Sequence, residues 1–211
     1  MSSNAYGVKA KKERWRVLEV PELKLFIAIQ FLIGLVKIPS RRAAWRRSGF
    51  YFHPWVAERM SRNRFEDILL HLHWLDSSDM AQGIRAAKNK ENPFWCLQTL
   101  LEALAESCRK YFVPGQDIDI DEQCFPFKGR HRARCFNPNK PWKFHFKNYC
   151  LNDARTCYTW NFFMYRGKDD GRPPDLPATE YPCHVLTDYP VLADKGYIFY
   201  CDNWYTTVPL W

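Results

Sequence analysis

Residues 117–147 read DIDIDEQCFPFKGRHRARCFNPNKPWKFHFK and combine two sequence signals in one segment. At its start, Asp117, Asp119 and Asp121 alternate with two isoleucines, the period of a β-strand with one apolar face. Residues 128–148 then carry seven Lys or Arg and no Asp or Glu. Carboxylates at a strand end can hold a divalent metal ion, and cations beside them can hold phosphates. The segment therefore indicates metal-assisted chemistry on a nucleic acid.

The distribution of charge along the chain favours an anionic polymer as partner. The 211 residues carry a net charge of +8, of which residues 1–47 contribute +8, residues 128–148 contribute +7 and the remainder −7. Two concentrated basic regions on an otherwise acidic chain are typical of nucleic-acid binding, with solvated charge for solubility as the alternative. Hydrophobic residues at 46% and aromatic residues at 17% predict folded protein.

The cysteines argue against a disulfide-linked or zinc-binding protein, and the apolar stretches argue against a membrane-spanning one. The eight cysteines are scattered, form no C-x-x-C pair and have no His at zinc-finger spacing, so we expect reduced thiols in an intracellular protein and no zinc site within this chain. The longest apolar stretch, residues 25–36, is too short to span a bilayer, and no membrane association is expected.

Residues 1–113 are predicted to be helical after a basic, poorly ordered lead-in at residues 1–20. The predicted helices are 21–36, 54–75 and 92–113, with a polar loop at 76–92. After Gly115 the period changes to that of strands, at 116–122, 142–151, 156–165 and 196–201, with a short helix within 178–193. Periodicity alone supports a mixed α and β protein.

A second carboxylate, Asp202, follows the last predicted strand. If this strand lies beside the first, Asp202 meets one of Asp117, Asp119 and Asp121, whose shared strand face leaves the choice among them open. Phosphoryl transfer by two metal ions needs such a carboxylate cluster. The alternative for Asp202 is a polar turn after an edge strand.

The chain also resembles a known family through several short motifs. These are Asp121-Glu122, Phe127-Lys-Gly-Arg130, Asn137-Pro-Asn-Lys-Pro141 with Lys143 and Lys147, Gly167-Lys168, and Asp202-Asn-Trp-Tyr-Thr206, with further matches at 31–39, 60–65, 72–76 and 92–95. They closely resemble piggyBac-type transposases, which are cut-and-paste DNA transposases with an RNase H-like core. His145 departs from the family pattern, which has Gly there. The resemblance implies an α+β fold, with a helical N-terminal domain followed by the first part of a truncated RNase H-like mixed β-sheet core.

The resemblance also implies roles for individual residues. Asp121 and Asp202 are the implied catalytic residues and ligands of a two-metal Mg²⁺ site. Glu122, which follows Asp121 on the same strand, has an implied structural role. The basic residues of the segment are predicted to contact DNA phosphates, with a solvated face as the alternative for any single one, and Lys168 is added by its family match: Lys128, Arg130, Arg132, Arg134, Lys140, Lys143, Lys147 and Lys168. Trp204 and Tyr205 either stack on a flipped base or pack in the protein, and packing is the commoner role.

By resemblance, residues 21–113 belong to a helical dimerisation and DNA-binding domain and residues 114–211 to a partial catalytic domain. The implied partners are double-stranded DNA, at transposon ends and TTAA targets, and a second copy of the full-length protein. The implied location is the nucleus. The family's third catalytic Asp has no counterpart before Trp211, so the Mg²⁺ site is expected to be incomplete and this chain inactive. The alternatives are a domesticated DNA-binding or chromatin protein without catalysis, and an unrelated RNase H-like nuclease.

Overall fold

The computed structural model describes residues 2–11, 15–77, 79–168 and 171–206, which fall into two compact units, Met1–Met80 and Ala81–Trp211. Within these described ranges, no helix has both the length and the apolar character needed to cross a membrane. All eight cysteines are free thiols, and burial raises the pKa of Cys150 to about 12 and that of Cys183 to about 11.

The first unit is helical. Its helices are α1 (Ser2–Lys11), α2 (Val20–Leu35), α3 (Pro54–Arg59) and α4 (Arg62–His71), with a 3₁₀ turn at Arg41–Trp45. Phe26 and Ile29 of α2 pack with Phe65 and Ile68 of α4 in a core that excludes water. The single helix expected at residues 54–75 is two helices, because Met60 has extended dihedral angles (φ −144°, ψ 130°) between them.

Helix α1 corrects the expectation of a poorly ordered lead-in. The side chain of Asn4 accepts hydrogen bonds from the backbone N–H of Leu18 (2.7 Å) and from the indole N–H of Trp15 (3.1 Å). Tyr6 stacks on His73 with a ring-centroid distance of 3.7 Å. Because these partners are distant in sequence, the polar composition of residues 2–11 carries no signal of the contacts that order them.

The described residues of the second unit form three α-helices and one sheet. The elements are α5 (Gln82–Glu91), α6 (Gln98–Tyr111), β1 (Asp117–Pro126), β2 (Cys135–Phe136), β3 (Phe144–Asp153), β4 (Thr159–Met164), α7 (Tyr181–Thr187) and β5 (Ile198–Cys201), with a 3₁₀ turn at Trp95–Leu97. Helix α5 lies where a polar loop was expected. It has no buried residue, and the polar composition of its segment favoured a loop.

The division between units lies at Met80/Ala81, and not after residue 113, because α6 packs on the sheet. Arg109 of α6 donates a hydrogen bond to the side chain of Asn161 on β4 (2.7 Å), and the indole of Trp160 donates to the carbonyl of Phe112 (3.1 Å). Helices α5 and α6 thus belong to the same compact unit as the strands.

The sheet has the order β2-β3-β1-β5. Strand β4 also pairs with β3, on the edge of β3 that faces away from β1. Strand β3 is antiparallel to β1, β2 and β4, whereas β5 returns parallel to β1 after a connection that contains α7. This is the strand arrangement expected for the start of an RNase H-like core. It also makes the first and last strands direct neighbours.

One face of the sheet is the core of the second unit. Ile118 and Ile120 of β1 and Leu151 of β3 are almost completely buried, and Leu186 of α7 packs against them. Since side chains alternate along a strand, Asp119 and Asp121 lie on the opposite face. The alternation read from the sequence therefore determines which carboxylates stay out of the core.

Candidate functional site

The structure places Asp121, within β1, and Asp202, the residue after β5, at corresponding positions along two neighbouring strands. The last ladder pair between β1 and β5 joins Ile120 to Cys201, and the next residue on each strand is one of the two aspartates. Neighbouring strands lie about 4.8 Å apart, and both carboxylates are exposed on the face away from the core. Each accepts a backbone N–H from the residue that follows it, from Glu122 at 2.7 Å and from Asn203 at 2.6 Å.

The other two aspartates of β1 already have partners. Asp117 accepts a hydrogen bond from the Tyr200 hydroxyl (3.1 Å), and Asp119 accepts one from the side-chain amide of Asn152 (2.9 Å). Among the described residues, no side chain hydrogen-bonds to the carboxylate of Asp121. The geometry thus favours Asp121 from the three aspartates that periodicity alone left open.

The donor set of this pair fits Mg²⁺. Mg²⁺ prefers oxygen ligands and is commonly bound through one or two carboxylates while it keeps several waters. Asp121 and Asp202 would hold the ion. The described part of the chain contains no group of three or more His, Cys, Asp or Glu arranged to hold a metal.

Glu122 lies on the core side of the same strand. Its side chain is 18% exposed, accepts the hydroxyl hydrogen of Tyr205 (2.7 Å) and forms an ion pair with Lys147 (3.4 Å). Burial acts to raise the pKa of Glu122, but the Tyr205 hydroxyl and the Lys147 ammonium outweigh it and hold that pKa below its usual value. The pKa of Tyr205 is raised by burial and by the Glu122 carboxylate. Glu122 is thus a half-buried, paired carboxylate.

The basic residues expected to contact DNA do not gather at one place. Lys140, Lys147 and Lys168 line an open cleft of about 480 Å³ beside Glu122. Arg132 donates to the carbonyls of Asn89 and Lys90 at the end of α5. Arg134 donates to the carbonyl of Gly129 (2.8 Å) and lies over the ring of Phe144. Lys128, Arg130 and Lys143 are exposed and lie outside the cleft.

Two further residues of this cleft had no firm role from the sequence. Arg172 lines it, and its guanidinium donates to the carbonyl of Leu176. No motif or periodicity in the sequence marked Arg172. Trp204 also lines the cleft and is 43% exposed, whereas its neighbour Tyr205 is fully buried. The structure therefore separates the two aromatic residues whose roles the sequence left open.

Comparison with known sequences gives matches over nearly the whole chain. A protein family described as Transposase IS4 matches residues 2–211. The human piggyBac transposable element-derived protein 3 is 31% identical over 198 residues, which cover 90% of this chain and 31% of that protein. The human piggyBac transposable element-derived protein 2 is 25% identical over 143 residues, covering 68% of this chain and 23% of that protein. The chain thus spans about a third or less of the length of these relatives.

A solved structure has the same fold. It is a cryo-EM structure of the piggyBac transposase synaptic complex with hairpin DNA, with a TM-score of 0.79 and 24% sequence identity. The similarity covers 99% of this chain and 43% of the other chain. The α+β architecture described above is thus shared with that part of the larger protein.

Proposed function

The chain belongs to the family of piggyBac-type transposases and piggyBac transposable element-derived proteins, and on this premise we propose that it provides the first part of a metal-dependent DNA transposase active site. The observation that carries the proposal is the placement of Asp121 and Asp202 directly after the last ladder pair of two parallel strands. The larger protein would be a cut-and-paste transposase that cleaves transposon ends and joins them to TTAA targets.

In this proposal the two aspartates fix Mg²⁺ at the exposed edge of the sheet. Bound Mg²⁺ would polarise the scissile phosphate and activate the attacking oxygen. The backbone N–H groups of Glu122 and Asn203 hold one oxygen of each carboxylate, which leaves the second oxygen of each for the metal. A complete site in this family is expected to have a third Asp. We therefore expect this 211-residue chain alone to bind metal and DNA without cleaving DNA.

Double-stranded DNA is the proposed substrate, and its recognition would rest mainly on charge. The net charge of +8 and the lysines of the cleft beside Glu122 support contact with phosphates, which positions a duplex without reading its sequence. The related solved structure is itself a complex with hairpin DNA. Nuclear localisation, and a homodimer formed through the helical domain of the full-length protein, belong to the same proposal.

A second candidate is a domesticated protein that binds DNA or chromatin without catalysis. Its support is that the similar human proteins are named as transposable element-derived. Both candidates predict DNA binding by this chain. They differ in whether the full-length protein excises a transposon, and in whether Asp121→Ala abolishes that excision.

The first test is duplex binding by the purified chain as a function of salt. Fluorescence anisotropy with a labelled duplex should give an affinity that falls linearly on a log–log plot as salt rises. Lys140→Gln and Lys168→Gln should each reduce the slope by about one, whereas Arg132→Gln, at a residue that braces α5, should leave it unchanged. Binding that is absent, or insensitive to salt, would contradict the DNA-binding part of the proposal.

A further inference from the structure

Trp204 occupies an unusual position at the end of β5. It follows Asp202 by two residues, in a turn in which the backbone N–H of Tyr205 donates to the carbonyl of Asp202 (2.9 Å). Tyr205 meets the Trp204 ring edge-on at 4.9 Å, and the ammonium of Lys147 lies 5.5 Å from its centroid. Nevertheless 43% of Trp204 stays exposed. The turn thus fixes a large aromatic ring while leaving much of its surface open.

The cleft that Trp204 lines is cationic. Lys140, Lys147, Lys168 and Arg172 face one carboxylate, Glu122, which gives a net charge of +3 in about 480 Å³. Glu122 is itself held by Tyr205 and Lys147, so its charge is compensated locally. A ligand for this cleft should therefore be anionic and should present a flat aromatic face to the ring of Trp204.

A nucleotide combines these two properties, and the pairing state of its base matters. Aromatic side chains with flanking cations are the usual means of holding single strands, because each base offers a π-face. Inside a duplex both faces of a base are covered by its neighbours, so only an unpaired base can stack on a protein ring. A DNA strand that passes Asp202 would have its adjacent nucleotides near Trp204, at the same turn.

We propose that Trp204 and the lysines around it form a subsite for one unpaired nucleotide, in which the base stacks on the indole and the phosphates contact Lys140 and Lys168. This inference rests on the proposed function, because the unpaired nucleotide belongs to the DNA that the chain is proposed to bind. It gives Trp204 a role in binding that differs from the packing role of Tyr205.

The test compares two substitutions that keep the side chain apolar. Trp204→Leu fills the turn but has no ring, and Trp204→Phe keeps a ring. The probes are an unpaired oligothymidine and a fully paired duplex of equal length, measured by anisotropy. Trp204→Leu should weaken oligothymidine binding roughly fivefold or more, which is the scale of one lost stacking contact. It should leave duplex binding nearly unchanged, and Trp204→Phe should retain most of the affinity for the single strand.

A matched control and a cross-link make the location specific. Trp142 is 57% exposed and lies outside the cleft, so Trp142→Leu should not change single-strand binding. An oligothymidine that contains 5-iodouracil should cross-link to the wild-type chain at Trp204, as mapped by mass spectrometry. Circular dichroism would verify that each variant is folded.

The possible outcomes separate this inference from the proposed function. If the duplex binds but oligothymidine binding is unaffected by Trp204→Leu, or the cross-link maps elsewhere, the subsite is wrong and the proposed function stands. If Trp142→Leu weakens binding as much as Trp204→Leu, the subsite is also wrong. If neither DNA binds, both proposals fail.

Discussion

Asp121 and Glu122 are consecutive carboxylates on β1 with opposite surroundings. Asp121 is exposed beside Asp202, whereas the Glu122 side chain is 18% exposed and is held by a hydroxyl and an ammonium group. The cause is the alternation of side chains along a strand, which turns one to the open face and the other toward the core. Under the proposed function, Asp121 is therefore available to a metal ion, whereas Glu122 already has protein partners.

Among the substitutions considered, Tyr205→Ala is expected to lower the free energy of unfolding most. Tyr205 is fully buried and supplies the hydroxyl that holds Glu122. Removing a buried aromatic side chain lowers the free energy of unfolding by about 3–5 kcal/mol. Urea-induced unfolding followed by circular dichroism would measure this loss. Trp204→Ala, at the adjacent exposed ring, is the control and should cost clearly less; equal losses would show that Tyr205 is not the core residue of this turn.

A smaller, pH-dependent effect is expected at Glu122. Since its folded pKa lies below its ordinary value of 4.5, the charged carboxylate stabilises the folded state above that pH. This contribution is lost as the pH falls through the lowered pKa. Glu122→Gln should therefore reduce stability at pH 7 and flatten the decline in stability at acid pH. Urea unfolding at a series of pH values would test this, and parallel curves for wild type and variant would contradict it.

The smallest effect on stability is expected on the exposed face. Asp121→Asn and Asp202→Asn remove charges that solvent reaches, so each should change the free energy of unfolding by no more than about 0.5 kcal/mol. The same urea titrations measure this. A large loss in either variant would mean that the carboxylate supports the fold, as Glu122 does.

Much of this site follows from local sequence patterns. The alternation at residues 117–121 correctly predicts a strand with its aspartates on one face, because the two-residue period is a local property. That β5 lies beside β1 agrees with the RNase H-like core that the family resemblance implied. The pairing joins segments about eighty residues apart, which periodicity alone cannot pair.

The parts that were not predicted depend on contacts between distant residues. Helix α1 is ordered by Asn4 and its contacts with residues 15 and 18, and α5 was assigned to a loop because its segment is mostly polar. The break between α3 and α4 had a local signal that was missed, since Ser61 caps α4 by accepting the N–H of Arg64. Arg132 donates hydrogen bonds at the end of α5, whereas Lys140 lines a cleft. The sequence could not predict this difference, because both residues belong to one run of similar cations.

Binding of Mn²⁺, measured by electron paramagnetic resonance as the loss of the free-ion signal, tests the central claim most directly. The claim is that Asp121 and Asp202 hold a divalent metal together while Glu122 does not. Asp121→Asn and Asp202→Asn should each weaken Mn²⁺ binding about tenfold or more, the equivalent of about 1.4 kcal/mol, and Glu122→Gln should leave it nearly unchanged. Loss of binding in Glu122→Gln, with Asp121→Asn equal to the wild type, would contradict the account.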